Sequence, residues 1–329
     1  MCVTYWAGVY EGHPVEGVRP SRQIPPYLLL LFRATHAGPD LRDRARQYWS
    51  DLEWGKVEDD RLVFLQTDSG CRFAIRLKPV EEQGPHDQAW PLPGHNQLVV
   101  LLRTLQPPVY PREVTETLEP MVRSLNLEMA LPQDPDPTFG PWSPSRVLLA
   151  WRHLHRKTLA DWRQPPYHLE RFVGRLPAAE IERIWQWNRS RGDRQAALEE
   201  DVFIPLIDYV DLGDGPQTRV AWPDGIPIYL PKVDFILAGF GTQREGVEPG
   251  TPEFTTWVPW ASLEPLLSRY STLTEFRQAR RLVYDQPPPD LLEVLRSGLR
   301  VRQAPWVVPF SRVLADEDFR GGPDSPASA

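Results

Sequence analysis

RLVFLQTDSGCRFAIRLK, Arg61 to Lys78, sets two apolar runs on either side of Asp68-Ser69-Gly70. In its second half Cys71, Phe73, Ile75 and Leu77 alternate with Arg72, Ala74, Arg76 and Lys78, the period of a strand buried on one face. Asp, Ser and Gly together are turn chemistry, because they supply side-chain caps and a positive φ. The stretch therefore predicts a β-hairpin, with Cys71 as a small apolar filler on its buried side.

Outward from the hairpin, Tyr27–Ala34 (YLLLLFRA) is a continuous apolar run suited to a strand covered on both faces. Leu41, Ala45, Trp49 and Leu52 recur at helical spacing. After a Pro/Gly-rich insert from Val80 to His95 comes a strand at QLVVLLR, then a helical segment from Glu113 to Leu125, interrupted or restarted at Pro120. NLEMALP closes the unit as a further strand. The class expected is α+β. Residues 27–131 follow the order β-α-β-β-β-α-β, a ferredoxin-like α/β sandwich pattern with one extra strand.

Residues 1–26 read as a lead segment. PQDPDPTFGPWSPS, residues 132–145, holds five prolines and reads as a linker. A helical Arg/Trp-rich segment is expected over 146–200, with helices at 146–163 and 178–191, the second stopping at Gly192. A mixed β/α unit follows over 201–319, with short helices at 260–269, 273–282 and 290–297. Residues 320–329 (RGGPDSPASA) read as a disordered tail.

Composition narrows the class further. Of 329 residues, 41% are hydrophobic and 25% charged, ordinary for a globular chain. The apolar run YLLLLF is far shorter than a membrane helix, and MCVTYWAGVYEG lacks the regions of a signal peptide. Two cysteines, Cys2 and Cys71, cannot build a disulfide framework or a Cys-based zinc site. The compartment expected is the cytoplasm. The basic residues are 33 Arg and 4 Lys, with 37 Pro and 3 Asn, a bias that points to a GC-rich prokaryotic genome. Abundant proline with few Asn, Met and Cys also fits a thermophile.

All seven histidines precede residue 169, and no HExxH, GxSxG or Walker loop occurs. No catalytic constellation and no cofactor is expected. The most charged feature is Pro144–Arg194, where ten Arg and one Lys stand against five acidic residues. Its net +6 leaves −13 on the rest of a chain of net −7. At 100° per residue, Arg152, Arg156 and Arg163 fall within about 40° on one helix. With Lys157 and Trp162 they form the candidate partner or nucleic-acid surface, since Arg beside an aromatic can grip phosphates and stack bases. The alternative is a solvated face whose Arg stems cover apolar surface. His155 falls on the apolar side and reads as a core histidine, and Asn188 as a buried amide satisfying backbone groups.

Asp208 and Asp234, with Asp211, Asp214 and Asp224, could ligate a hard cation if they converged. Turn chemistry accounts for Asp211, Asp214 and Asp224 without one, in DLGDG and WPDG. Within WPDGIPIYLPKVDFILAGFGTQREG, residues 222–246, TRVAW and IPIYL read as strands joined through Pro223-Asp224-Gly225. Arg244 stands where a dinucleotide fingerprint needs glycine. Gly239–Gly246, GFGTQREG, resembles the Gly-rich loop of the RNA-binding repeat-associated proteins of CRISPR systems. That family's loop lies nearer its C-terminus, and eight residues identify no family.

The function expected is a non-catalytic binding protein, a subunit or accessory factor of a larger prokaryotic assembly with protein partners and no membrane. The first alternative binds RNA or single-stranded nucleic acid through 144–194; the second is a metal-dependent phosphodiesterase using Asp208 and Asp234.

Overall fold

The alternation becomes a ladder over Arg61–Arg76 in which Leu62 faces Ile75 and Phe64 faces Phe73. Gly70, at φ 70°, takes the left-handed turn that a side chain would strain. The computed structural model describes residues 27–35, 40–77, 97–135, 137–164, 173–198, 202–213, 215–223, 226–238, 256–300 and 306–320. The lead segment, the 80–95 insert, GFGTQREG and all but the first residue of the tail lie outside the described residues, as do Asp214 and Asp224. The class is α+β. The chain divides into two compact units, Met1–Val173 with Leu314–Ala329, and Gly174–Val313.

In the first unit the elements run β1 (Tyr27–Ala34), α1 (Leu41–Ser50), β2 (Gly55–Glu58), β3 (Arg61–Gln66), β4 (Cys71–Arg76), β5 (Gln97–Arg103), α2 (Tyr110–Leu125), β6 (Leu127–Ala130) and α3 (Pro144–Arg163). The strands form one antiparallel sheet in the order β2-β3-β4-β5-β1-β6. It has one strand more than the sequence pattern predicts. The addition, β2, is GKVE, too short and polar to show an alternation. Its Gly55 is required because a Cβ there would collide with the Trp49 carbonyl oxygen.

Leu28, Leu30 and Phe32 of β1 point into the main core with Trp49, Leu118, Met121, Val147 and Trp151, so α1, α2 and α3 share one face of the sheet. Leu29 and Leu31 point the other way, to Val99, Ala130 and Phe139. The continuous apolar run Leu28–Phe32 is thus buried on both sides.

α2 runs through Pro120 without interruption. The missing N–H removes one helical bond. Burial of Leu118, Met121, Val122 and Leu125 on that stripe outweighs the loss. The proline-rich segment lies on the sheet. Gly140 exchanges two backbone bonds with Met129, at 2.8 and 3.0 Å, and Trp142 packs on Phe32. It leads into α3, capped by Ser143.

The second unit holds β7 (Gly174–Leu176), α4 (Ala178–Ala197), β8 (Ile207–Asp211), β9 (Pro216–Trp222), β10 (Ile228–Leu230), β11 (Phe235–Ala238), β12 (Thr256–Pro259), α5 (Trp260–Tyr270), β13 (Thr272–Leu273), β14 (Arg280–Leu282), α6 (Pro289–Ser297), β15 (Leu299–Arg300) and β16 (Trp306–Val308). A six-stranded sheet takes the order β15-β12-β11-β9-β8-β16, with β9 and β11 parallel; β10-β14-β13 form a separate small sheet. The chain returns to the first unit at β17 (Val313–Ala315) and the short α7 (Asp316–Arg320).

Three local expectations are corrected here. α4 passes Gly192 and ends at Ala197, because Gln195 holds its last turn through bonds to Val202 O and Ile204 N, both 2.8 Å. Residues 273–282, expected as a helix, are the end of β13, a turn over 274–279 and then β14, with Arg277 and Gln278 at φ 49° and 55°. Two successive positive φ values, with Ala279 N donating to Phe276 O at 2.9 Å, give the tip of this loop the backbone of a type I′ turn, here without the usual Asn-Gly. Finally, TRVAW and IPIYL lie in different sheets, so the segment after Pro223 connects two sheets rather than turning a hairpin.

Candidate partner-binding surface

The inner face of α3 is fixed by two consecutive carbonyls at the end of β5. Trp151 Nε1 donates to Arg103 O at 2.7 Å, and four residues on, His155 Nδ1 bonds to Thr104 O. The two rings stack at 4.6 Å, as i,i+4 neighbours on a helix can. His155 is 3% exposed, and its Nε2 lies 3.2 Å from the Asp318 carboxylate of α7. It is the core histidine that its helical phase predicts.

That anchoring fixes which α3 residues face solvent. Arg152, Arg156 and Lys157 are exposed, with His153 beside them. Their side chains make no ion pair or hydrogen bond among the described residues. Leu149, on the same stripe, is 71% exposed. Neither Leu149 nor His153 was selected by sequence reasoning. The signal for Leu149 was its position one turn before Arg152, off the stripe of Trp151, Leu154 and Leu159.

The other two expected members stand apart from this surface. Arg163 is half-buried; its Nη1 donates to Phe319 O at 3.2 Å and its guanidinium sits 5.5 Å over the Phe319 ring. Trp162 packs against Leu105, Leu159, Leu314 and Phe319. Both tie α7 to α3. A helical wheel places Arg163 with Arg152 and Arg156 but carries no information about α7, more than 150 residues later.

No family model, curated protein or solved structure matches the chain.

Asp208 and Asp234 do not come together. Asp208 of β8 faces Arg219 of β9 and lies 3.5 Å from its guanidinium, which also sits over Trp257. Burial raises the Asp208 carboxyl above the usual range, against the pull of Arg219. Asp234 instead accepts two 2.8 Å bonds from Thr218, through N and Oγ1. Thr218 and Arg219 are successive residues of one strand, so their side chains leave opposite faces of the sheet. Among the described residues no three His, Cys, Asp or Glu side chains gather as a metal site would require. A cavity of about 320 Å³ lies beside α1, lined by Asp40, Arg42, Asp43, Arg46, Asp59, Asp60 and Leu77. Arg46 binds Asp59 O at 2.7 Å and Asp43 at 3.3 Å across it, and Asp40 caps the helix, which accounts for its charged lining. No helix among the described residues is long and apolar enough to cross a membrane.

Proposed function

We propose that the chain is a non-catalytic binding protein, an accessory subunit of a larger prokaryotic assembly, and that it meets a protein partner on the outer face of α3. The observation that supports this is the exposed, unpaired row Arg152, Arg156 and Lys157 beside Leu149. Many arginines elsewhere are matched within the fold, as in Arg33–Glu128, Arg146–Asp134 and Arg183–Glu180, while Arg44 and Arg296 are exposed singly, without a neighbouring cation of the same row. Single-stranded nucleic acid would meet the same cations, but base stacking needs an exposed ring. The large exposed apolar side chains among the described residues are all aliphatic, and Trp162 belongs to the packing under α7.

The test is affinity purification of the tagged chain from its source cells, with and without nuclease, against the variant Arg152→Glu, Arg156→Glu, Lys157→Glu. The expected result is a protein that survives nuclease with the wild type and is lost with the variant. Recovery that nuclease abolishes would replace this reading with the nucleic-acid one.

A further inference from the structure

From the chemistry of that surface we infer that its occupant is an acidic amphipathic helix of the partner, laid along α3 with carboxylates on the basic row and an aliphatic side chain on Leu149. The inference rests on the binding reading above and adds the class of ligand. The charge pattern carries it. From Pro144 to Ala160 the sequence holds no Asp or Glu, so Arg152 and Arg156 have none of the i,i+3 or i,i+4 partners that Arg123 and Arg183 find on their own helices; Lys157 has Asp161 four residues on but forms no ion pair with it. Arg152 and Arg156 are instead like charges one turn apart, an arrangement that weakens a free helix. Folding gains nothing from that repulsion. A row of carboxylates relieves it, and the overall charge of −7 makes the cationic stripe a local exception rather than a general property.

Shape selects a helix. Leu149, Arg152, His153, Arg156, Lys157 and Ala160 are all exposed and follow i, i+3, i+4, i+7, i+8, i+11. Together they cover one face of the helix, about 140° wide and about 17 Å long at 1.5 Å per residue. A second helix packed alongside presents side chains at the same repeat, with ion pairs flanking an apolar contact as at coiled-coil seams. Ala160 leaves room for close approach at one end, and Leu149 offers an anchor at the other.

The probe is a labelled Ala-based peptide of about 20 residues, long enough to be helical alone. Glu recurs along one side, with Leu on the adjoining stripe. Its comparators are a peptide of the same composition with Glu spread around the helix, and an oligouridylate of about 20 nucleotides. The full chain is titrated by fluorescence anisotropy at low and physiological salt. The expected result is that the patterned peptide binds at least about tenfold tighter than the scrambled one. The triple Glu variant should lose roughly ten- to a hundredfold, the scale of three exposed ion pairs. Leu149→Ala should lose about threefold to tenfold while keeping the salt dependence. All four positions are exposed, and circular dichroism is to confirm that the variants stay folded.

Equal binding of the two peptides, no binding of the patterned peptide, or unchanged binding by the triple variant would each overturn the inference. Tighter binding of the oligouridylate, lost in the triple variant, would overturn it in favour of nucleic acid. A nuclease-resistant partner recovered equally with the triple variant would remove this surface while leaving an accessory subunit as the reading.

Discussion

Asn188 shows how a polar residue on an apolar stripe sets the position of a helix. Its Nδ2 donates to Ile207 O at 3.0 Å and its Oδ1 accepts from Ile207 N at 2.9 Å, so one amide satisfies both backbone groups where β8 begins. Asn188→Ala leaves a buried donor and acceptor without partners and should cost about 2–4 kcal/mol, read from the urea midpoint. Asn188→Leu should rescue nothing, which separates lost bonds from lost volume. Asp208 is the opposite kind of residue, an acid whose fold disfavours its charge. Burial raises its carboxyl above 3.8 and Arg219 lowers it by less. Between the unfolded and the raised folded values the native chain binds more protons, so the contribution of Asp208 to stability falls as pH rises through that window. Asp208→Asn should flatten that decline in urea melts from about pH 4 upward. A slope identical to wild type would show that the carboxyl titrates normally. Arg219→Ala should destabilise at neutral pH, since it leaves Asp208 unpaired and uncovers the Trp257 ring.

At the scale of elements, sequence patterns were legible where burial repeats along one short segment. The Trp49 helix and the Cys71 strand carry their own periodicity, and YLLLLFRA its unbroken apolar run. Elements defined by backbone geometry or by a distant neighbour were not. β2 is two residues from β3 and exists because β3 offers it an edge. The turn between β13 and β14 is the clearest example. Its residues have ordinary helical preferences, yet Thr274 N reaches Ala279 O at 2.9 Å and Ala279 N reaches Phe276 O at 2.9 Å. The tertiary fold therefore holds Arg277 and Gln278 in the left-handed region at a cost of roughly 1–2 kcal/mol each. Replacing them by Asn-Gly should raise stability by about 1 kcal/mol, less than the full relief because Arg277 also bonds Gln186. A lower melting temperature would mean that the bond to Gln186 matters more than the backbone.

At the scale of the whole molecule, the second unit is inserted in the first, leaving it after Val173 and rejoining it at Leu314. A fragment of residues 174–313 holds its own six-stranded sheet and the helices α4, α5 and α6. It should fold alone, with a single cooperative thermal transition, because a unit of that size with its own core is expected to be independent. A gradual melt without a transition would show that the insertion needs its host. The candidate surface divides in the same way as the fold. That α3 is amphipathic, with Arg152, Arg156 and Lys157 opposite Trp151 and Leu154, was determined by the sequence, because a helix converts spacing into direction without outside help. That Arg163 and Trp162 leave the surface was decided by α7, whose Phe319 and Asp318 arrive from the far end of the chain. Asp208 and Asp234 were equivalent as letters, and only strand register sent them to Arg219 and Thr218, on opposite faces of one sheet. Local periodicity is a property of neighbours in the chain; register and closure are properties of neighbours in space, and no window along the sequence contains them.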